Sequence, residues 1–396
     1  MNTQLLLPEV QAFLAKHAQD DPARIAMQKS PFKEVNARDL ANQIDSRQRL
    51  SRKMPTWTAT PGLLYPERIS VEQCSSEKTA AYKAFLLRGG QKGLDMTGGL
   101  GIDTYALSQV TERVLYAERN EALAALVAHN FKVLQAPSIE IHQGDSEDLL
   151  RSLPSNSLDW IYIDPARRQE TRKVFLLEQC EPNVLQLAPL LFDKTSRVLL
   201  KLSPMLDLHQ AFKQLETVAE AHILSVDQEC KEVLIEWRKE ASVTQIYAKA
   251  LSMPGIDTFR FTLEEEQLAQ PTFSGPQRYL YDPDVALTKA GAFKSTAIRY
   301  DLAKLHPHTH LYTSEEYRPD FMGQIFEIVD QWSFGTFKKS KRKGKASITA
   351  RHFPIRAEVL KQQFKWDDDP QFRLFFMTGP ESQLLTVLAK QIPQLL

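Results

Sequence analysis

Apolar residues change their spacing along the chain, and each change predicts a different kind of element. From residue 3 to about 88 they recur every three or four positions in "PEVQAFLAKH", "ARDLANQIDSRQRL" and "SEKTAAYKAFLLRG". That period predicts helices, broken at Pro31, Pro55, Pro61 and Pro66. From Lys92 the short apolar runs "GLDM", "RVLYAE", "IEIHQ", "DWIYID" and "RVLLKL" alternate with helical stretches such as "NEALAALVAHNFKVL" and "TRKVFLLEQCEPNVLQLAPLLF". Strands apolar throughout, separated by helices, predict a parallel sheet covered on both faces. "AHILSVDQ" and "EVLIEWRK" then predict an antiparallel hairpin closing that sheet. Beyond Ala241 the strands "TQIYAKAL" and "TFRFTLE", the turn-rich bridge "PTFSGPQRYLYDPD" and the run "FRLFFMTG" predict a further α+β region. The expected class is α/β, with a helical domain over 1–88, an open-sheet domain over 89–241, a linking segment over 242–322 and an α+β domain over 323–396.

Polar residues that interrupt the strand pattern concentrate at strand ends. In "GLDMTGGLGIDTYALS", Asp95 ends the first strand, Gly98, Gly99 and Gly101 follow, and a helix starts at about Asp103. This is the first strand-to-helix turn of an open sheet, where ligands bind. A dinucleotide fingerprint would fit Gly99 and Gly101, but Thr104 stands where its third glycine belongs. Glu118 and Arg119 follow the second strand, and Asp145 with Ser146 the third. Each acid by itself also suits a helix cap. Taken in order, one can accept both ribose hydroxyls and the other can meet an adenine amino group, which outlines an adenosine-shaped pocket. The fourth strand runs into Asp164, Pro165, Ala166, Arg167 and Arg168. A carboxylate there can accept a hydrogen bond from an attacking nucleophile, or it can cap a turn. After the fifth strand, Lys201 and Ser203 are either substrate contacts or neighbours of a helix start.

Composition narrows the partners. The chain of 396 residues carries 49 basic and 49 acidic side chains, so a surface for a polyanion has to be local. One candidate exists in "FGTFKKSKRKGKASITARHFP", where Lys338, Lys339, Lys341, Arg342, Lys343 and Lys345 crowd together beside Phe334, Phe337, His352 and Phe353. Cations beside aromatics suit a phosphate backbone with stackable bases; the alternative is a solvated loop. Cys74, Cys180 and Cys230 are too dispersed for a disulfide framework or a metal pair, so no metal is expected and a reducing cytoplasm fits. Without an apolar span of membrane length, a cytoplasmic protein with no membrane anchor is expected.

The series D-x-T-G-G-x-G, an acid after the second strand, G-D after the third and D-P-A-R after the fourth resembles class I S-adenosylmethionine-dependent methyltransferases over about residues 75–240. Through "EQCSSEKTAAYKAF", "DMTGGLGIDT", "IDPARR" and "KLSPMLDL", most of the chain resembles a bacterial family of such enzymes with a ferredoxin-like piece and a THUMP-like C-terminal domain. The resemblance implies a Rossmann-like sheet and S-adenosylmethionine as cofactor. It places Asp95, Thr97, Gly98, Gly99 and Gly101 at the methionine end, Glu118 and Arg119 at the ribose, and Asp145 and Ser146 at the adenine. Asp164, Pro165 and Arg167 would face the target. Arg168, Lys201, Ser203 and the six basic residues would face the substrate, which the THUMP-like likeness implies is RNA. A more distant likeness of "DMTGGLGID" and "ERN" to a small-subunit ribosomal RNA guanine N2-methyltransferase implies an exocyclic amine as acceptor. Amine-methylating enzymes of nucleic acids carry (D/N/S)-P-P-(Y/F/W) after the fourth strand, whereas Ala166 and Arg167 stand in the last two places here; Arg167 can still stack on a base or bind phosphate. No cysteine follows that strand, as carbon-5 pyrimidine chemistry would require. The sequence leaves open a protein or small-molecule acceptor, an RNA-binding module without activity, and a nicotinamide-dependent dehydrogenase.

Overall fold

A computed structural model describes residues 2–66, 74–167, 177–253, 255–256 and 258–394. The chain divides into two compact units, residues 1–218 with 235–241, and residues 219–234 with 242–396.

The first unit opens with helices Pro8–Lys16, Pro22–Met27, Ala37–Leu50, Pro55–Ala59 and Glu77–Leu87. Pro8, Pro22 and Pro55 sit in first turns, where a missing N–H costs nothing. Val10, Leu14, Ile25, Leu40 and Ile44 close a small core among these helices. A second core joins Leu50, Met54 and Trp57 to Tyr116, Val127 and Phe131, so the helical region and the sheet region share packing. The parallel strands are β1 (Lys92–Asp95), β2 (Arg113–Glu118), β3 (Ile139–Gln143), β4 (Trp160–Ile163) and β5 (Arg197–Leu202). β1 pairs with β2 on one side and β4 on the other, β2 with β3, and β4 with β5. The resulting order, β5-β4-β1-β2-β3, reverses between β1 and β4, which places a crevice at their carboxyl ends.

One predicted element differs. The stretch "TRKVFLLEQCEPNVLQLAPLLF" reads as a continuous helix, yet the α-helix covers only Val184–Lys194. Cys180–Glu181 instead pairs antiparallel with Ala166–Arg167, and residues 168–176 lie outside the described residues. Pro182 lacks the N–H that a helix ladder needs, and Asn183 starts the helix afresh by accepting from the Gln186 N–H at 3.2 Å.

In the second unit, Gln245–Ala250 pairs parallel with the strand Val218–Val226 and antiparallel with Thr258–Phe261. A mixed sheet follows in the order Ala303–Lys304, Tyr312–Ser314, Tyr279–Pro283, Gly323–Ser333, Leu384–Ile392, Phe372–Thr378 and Ser347–Arg351. Leu280, Phe326, Phe375 and Val387 pack on it, and Phe337, Leu360, Phe364, Trp366 and Phe376 form a second cluster. Among the described residues no helix is long and apolar enough to cross a membrane.

Candidate active site

A cleft of about 360 Å³ opens at the crevice and brings together Thr97, Gly98, Gly99, Gly101, Glu118, Arg119, Asp145, Ser146 and Asp164. Its floor is the glycine turn. A Cβ on Gly98 would stand 2.2 Å from the Tyr116 ring, and one on Gly101, at φ +79°, 2.6 Å from Phe131. A Cβ on Gly99 would meet nothing nearer than the Thr97 carbonyl at 3.7 Å, so glycine here leaves the cleft face of the turn open. Glu118 accepts the Gly99 N–H through Oε2 at 3.1 Å and the Asn120 N–H through Oε1 at 2.8 Å. Each carboxylate oxygen keeps acceptor capacity beyond its one bond. Asp145 caps the helix Ser146–Ser152 by accepting from the Glu147 N–H at 2.7 Å. Arg119 donates to Glu181 at 2.6 Å, and both line the cleft.

Asp95 is held inside the protein. It is 1 % exposed and bonds to one residue of the glycine turn and one of the helix that follows. Its Oδ1 accepts the Thr97 N–H at 2.9 Å and its Oδ2 accepts the Thr104 hydroxyl at 2.6 Å. Burial pushes its carboxyl up to about 7, against the pull of those two donors. Thr104, which spoils the dinucleotide fingerprint, therefore braces the acid that shapes the loop.

Asp164 lies at the cleft edge with its backbone N–H donating to the Thr97 hydroxyl at 2.7 Å. Lys201, from the end of β5, donates to its Oδ2 at 2.5 Å. Desolvation holds the Asp164 carboxyl above the ordinary carboxylate range, and the Lys201 ammonium opposes that rise. Pro165 is buried. Ser203 accepts from the Met205 N–H at 3.2 Å, as a turn residue would. Arg168 and the side chain of Arg167 lie outside the described residues.

Sequence reasoning missed a second acidic centre. Asp103 lines the cleft at the first turn of the helix Ile102–Ser108. Its Oδ2 accepts from Ser75 Oγ and from Tyr162 OH, each at 2.8 Å, and Lys83 Nζ lies 3.0 Å from Oδ1. Lys83 is itself fully buried and donates to Ser75 at 2.8 Å. Burial raises the Asp103 carboxyl, but Lys83 and Lys201 together with the two hydroxyls bring it below the ordinary value, so it stays ionised. The available signal was Lys83 itself, a lysine among the core-facing Ala80, Ala84 and Leu87 of its helix.

The basic run is divided. Lys338 and Lys339 ride on the helix Phe334–Ser340, and Lys341 ends it in left-handed backbone at φ +47°. Arg342, Lys343 and Lys345 line a groove of about 470 Å³ with Trp332 and Trp366. The Arg342 guanidinium lies 4.5 Å over the Trp332 ring and 3.2 Å from Asp330. The expected flanking aromatics are unsuited to stacking on a ligand: Phe337 is 1 % exposed, and Phe334 and Phe353 pack edge-on at 5.0 Å. Trp366 is also buried, in the cluster that holds Phe337, which leaves the half-buried Trp332 as the aromatic beside the groove's cations.

Known proteins share parts of this arrangement. Residues 279–321 match a ferredoxin-like domain, and residues 323–390 match a THUMP domain-like family. A crystal structure of a candidate methyltransferase from Porphyromonas gingivalis W83 is 32 % identical, superposes with a TM-score of 0.87, and each chain covers 99 % of the other. An uncharacterized S-adenosylmethionine-dependent methyltransferase of Mycobacterium tuberculosis is 24 % identical over 75 % of this chain and 79 % of its own. Ribosomal RNA small subunit methyltransferase J of Rhodopseudomonas palustris is 30 % identical over 22 % of this chain and 42 % of its own. With its strand-end acids around an open glycine turn, the chain belongs to the class I S-adenosylmethionine-dependent methyltransferases that carry ferredoxin-like and THUMP-like regions at the C-terminal end.

Proposed function

We propose that this methyltransferase acts on RNA, at an exocyclic amine of a base. The observation that carries the reading is the groove of the THUMP-like region, where Arg342, Lys343 and Lys345 stand beside the half-buried Trp332. Cations supply sequence-independent attraction for phosphates, and indole faces stack on unpaired bases. The local likeness to a ribosomal RNA methyltransferase supports RNA as the acceptor.

Bound S-adenosylmethionine supplies a methyl group already activated on a sulfonium. The chain's own residues bind, orient and keep water out. The turn Gly98–Gly101 and the ionised Asp103 would hold the methionine end, with Asp103 suited to its ammonium. Glu118 would accept the ribose hydroxyls through its remaining lone pairs, and Asp145 and Ser146 would flank the adenine. Asp164 would accept a hydrogen bond from the attacking amine through Oδ1, since Oδ2 is engaged by Lys201. That contact aims the amine's lone pair, which is worth more than strong basicity because an alkylated exocyclic amine sheds its proton readily.

The test is mass spectrometry of nucleosides from total RNA of a deletion strain and its parent. One methylated nucleoside should disappear in the deletion strain. The purified protein should then restore it with labelled methyl groups on deletion-strain RNA while leaving parental RNA unlabelled. Labelling of protein or small molecules with RNA unlabelled would overturn the reading.

A further inference from the structure

The helix Glu77–Leu87 breaks the apolar-in, polar-out rule twice. Lys83 is fully buried, and Phe85 is 54 % exposed. Asp103 accounts for the lysine. No packing need accounts for the phenylalanine, and residues that defy the pattern of an otherwise consistent element point to function.

Phe85 belongs to a stripe. Positions 78, 82, 85 and 88 follow one another at spacings of four, three and three, so Lys78, Tyr82, Phe85 and Arg88 share one side of the helix. The Tyr82 and Phe85 rings are stacked at 26° with centroids 6.0 Å apart. The Arg88 guanidinium covers Phe85 at 4.0 Å and is fixed there by donating to the Phe85 carbonyl at 2.6 Å. The stripe carries no acid, and its flanking positions are Ala81 and Gly89. Glu77, the nearest carboxylate in sequence, is turned to the backbone N–H groups of Thr56 and Trp57 at 2.9 and 3.1 Å.

We propose that this stripe is a stacking surface for unpaired nucleotides next to the methylated base; the proposal rests on the RNA reading above. Lys78 and Arg88 offer cations for phosphates at either end, and the exposed Phe85 ring with the guanidinium plane offers a stacking surface between them, backed by Tyr82. Charge complementarity thus selects a single-stranded polyanion. The helix is also held in register with the cleft. It is capped by Ser76 and Thr79, each bonded to the other's backbone N–H at 3.2 Å, and Ser75 just before it lines the cleft and bonds Asp103. At ~1.5 Å rise per residue, Tyr82 and Phe85 lie roughly 8 and 12 Å along the axis from Glu77, a reach of two to four stacked nucleotides at ~3.4 Å each.

The experiment uses the full-length protein and a short single-stranded oligoadenylate carrying 2-aminopurine. Phe85→Ala should bind this probe roughly 5- to 100-fold more weakly, the range for losing one stacked base, and should lose the quenching of 2-aminopurine. Phe85→Trp should restore both. Binding of S-adenosylhomocysteine should be unchanged in either variant, which separates a lost surface from a lost fold. Lys78→Gln and Arg88→Gln should each flatten the salt dependence by about 0.7 in logarithmic slope. If wild type binds the cofactor product but no single-stranded RNA, the RNA reading falls and this inference with it. If wild type binds the probe and Phe85→Ala binds it equally well, this inference alone falls. It also falls if Phe85→Ala leaves the probe bound and abolishes self-association in sedimentation, because the stripe would then be a protein interface.

Discussion

Lys201 Nζ lies 2.5 Å from Asp164 Oδ2, so the acid at the end of β4 is tied to a cation from the end of β5. Asp164 accepts from an amine more strongly as a carboxylate than as a neutral acid, and its pKa already stands above the ordinary range because burial outweighs that cation. Activity should therefore fall as pH drops through this raised value. Removing the cation in Lys201→Met raises the pKa further and should move the acid limb of the single-turnover rate to higher pH. An unmoved limb would remove Asp164 from the pH-controlling role. Asp164→Ala should slow transfer by about 10²-fold or more with cofactor affinity intact, and Asp164→Asn should be milder because its carbonyl still accepts a hydrogen bond.

Glu118 is expected to hold the cofactor's ribose while bracing the turn. Glu118→Ala should weaken S-adenosylhomocysteine binding on the order of a hundredfold, the loss of two charge-assisted hydrogen bonds. Equal calorimetric titrations for wild type and variant would refute the ribose assignment.

Asp95 makes stability depend on pH in an unusual direction for a carboxylate. Its folded value of about 7 stands above the unfolded one of about 3.9, so its contribution is fully present below the unfolded value and is lost as pH rises through the folded value. Asp95→Asn keeps an acceptor for the Thr97 N–H without the buried charge. Its Tm relative to wild type should rise between about pH 4 and pH 8. A difference independent of pH would mean that Asp95 titrates normally.

The split of the basic run separates two sets of cations. Gln substitution of Arg342, Lys343 and Lys345 in the groove should weaken single-stranded RNA binding and flatten its salt dependence by about 0.7 in logarithmic slope per phosphate lost. Substituting Lys338 and Lys339 on the helix should do less. The opposite ranking, measured by anisotropy over a salt series, would move the contact from groove to helix.

The parallel sheet and its glycine turn were legible because strand period, turn chemistry and acids at strand ends coincide in sequence. Lys83 was not, since a lysine at one helical position looks alike on the buried and the solvent face until the partner carboxylate, here Asp103, is known. The bonding of Asp95 was hidden for a related reason. Its position in the motif is fixed, but whether its oxygens face a ligand or Thr97 and Thr104 depends on backbone direction in the turn. Pro182 carried the signal that the helix before Val184 would fail, and the apolar residues around it masked that signal. The aromatic flank of the basic run misled because Phe337 serves the core, while Trp332, just before the predicted flank, borders the groove.

The passage of the chain between its two units has a consequence for truncation. Residues 219–234 belong with the C-terminal unit, and residues 235–241 return to the first, so the backbone crosses the boundary at three places. A module attached at one crossing can be cut away at that point. Here a cut after residue 241 would strip the strand Val218–Val226 of its parallel partner Gln245–Ala250 and leave an edge of unpaired amides on whichever piece kept it. The boundary between the two units is thus threaded rather than single, and a truncation placed at it exposes backbone that the intact chain keeps paired.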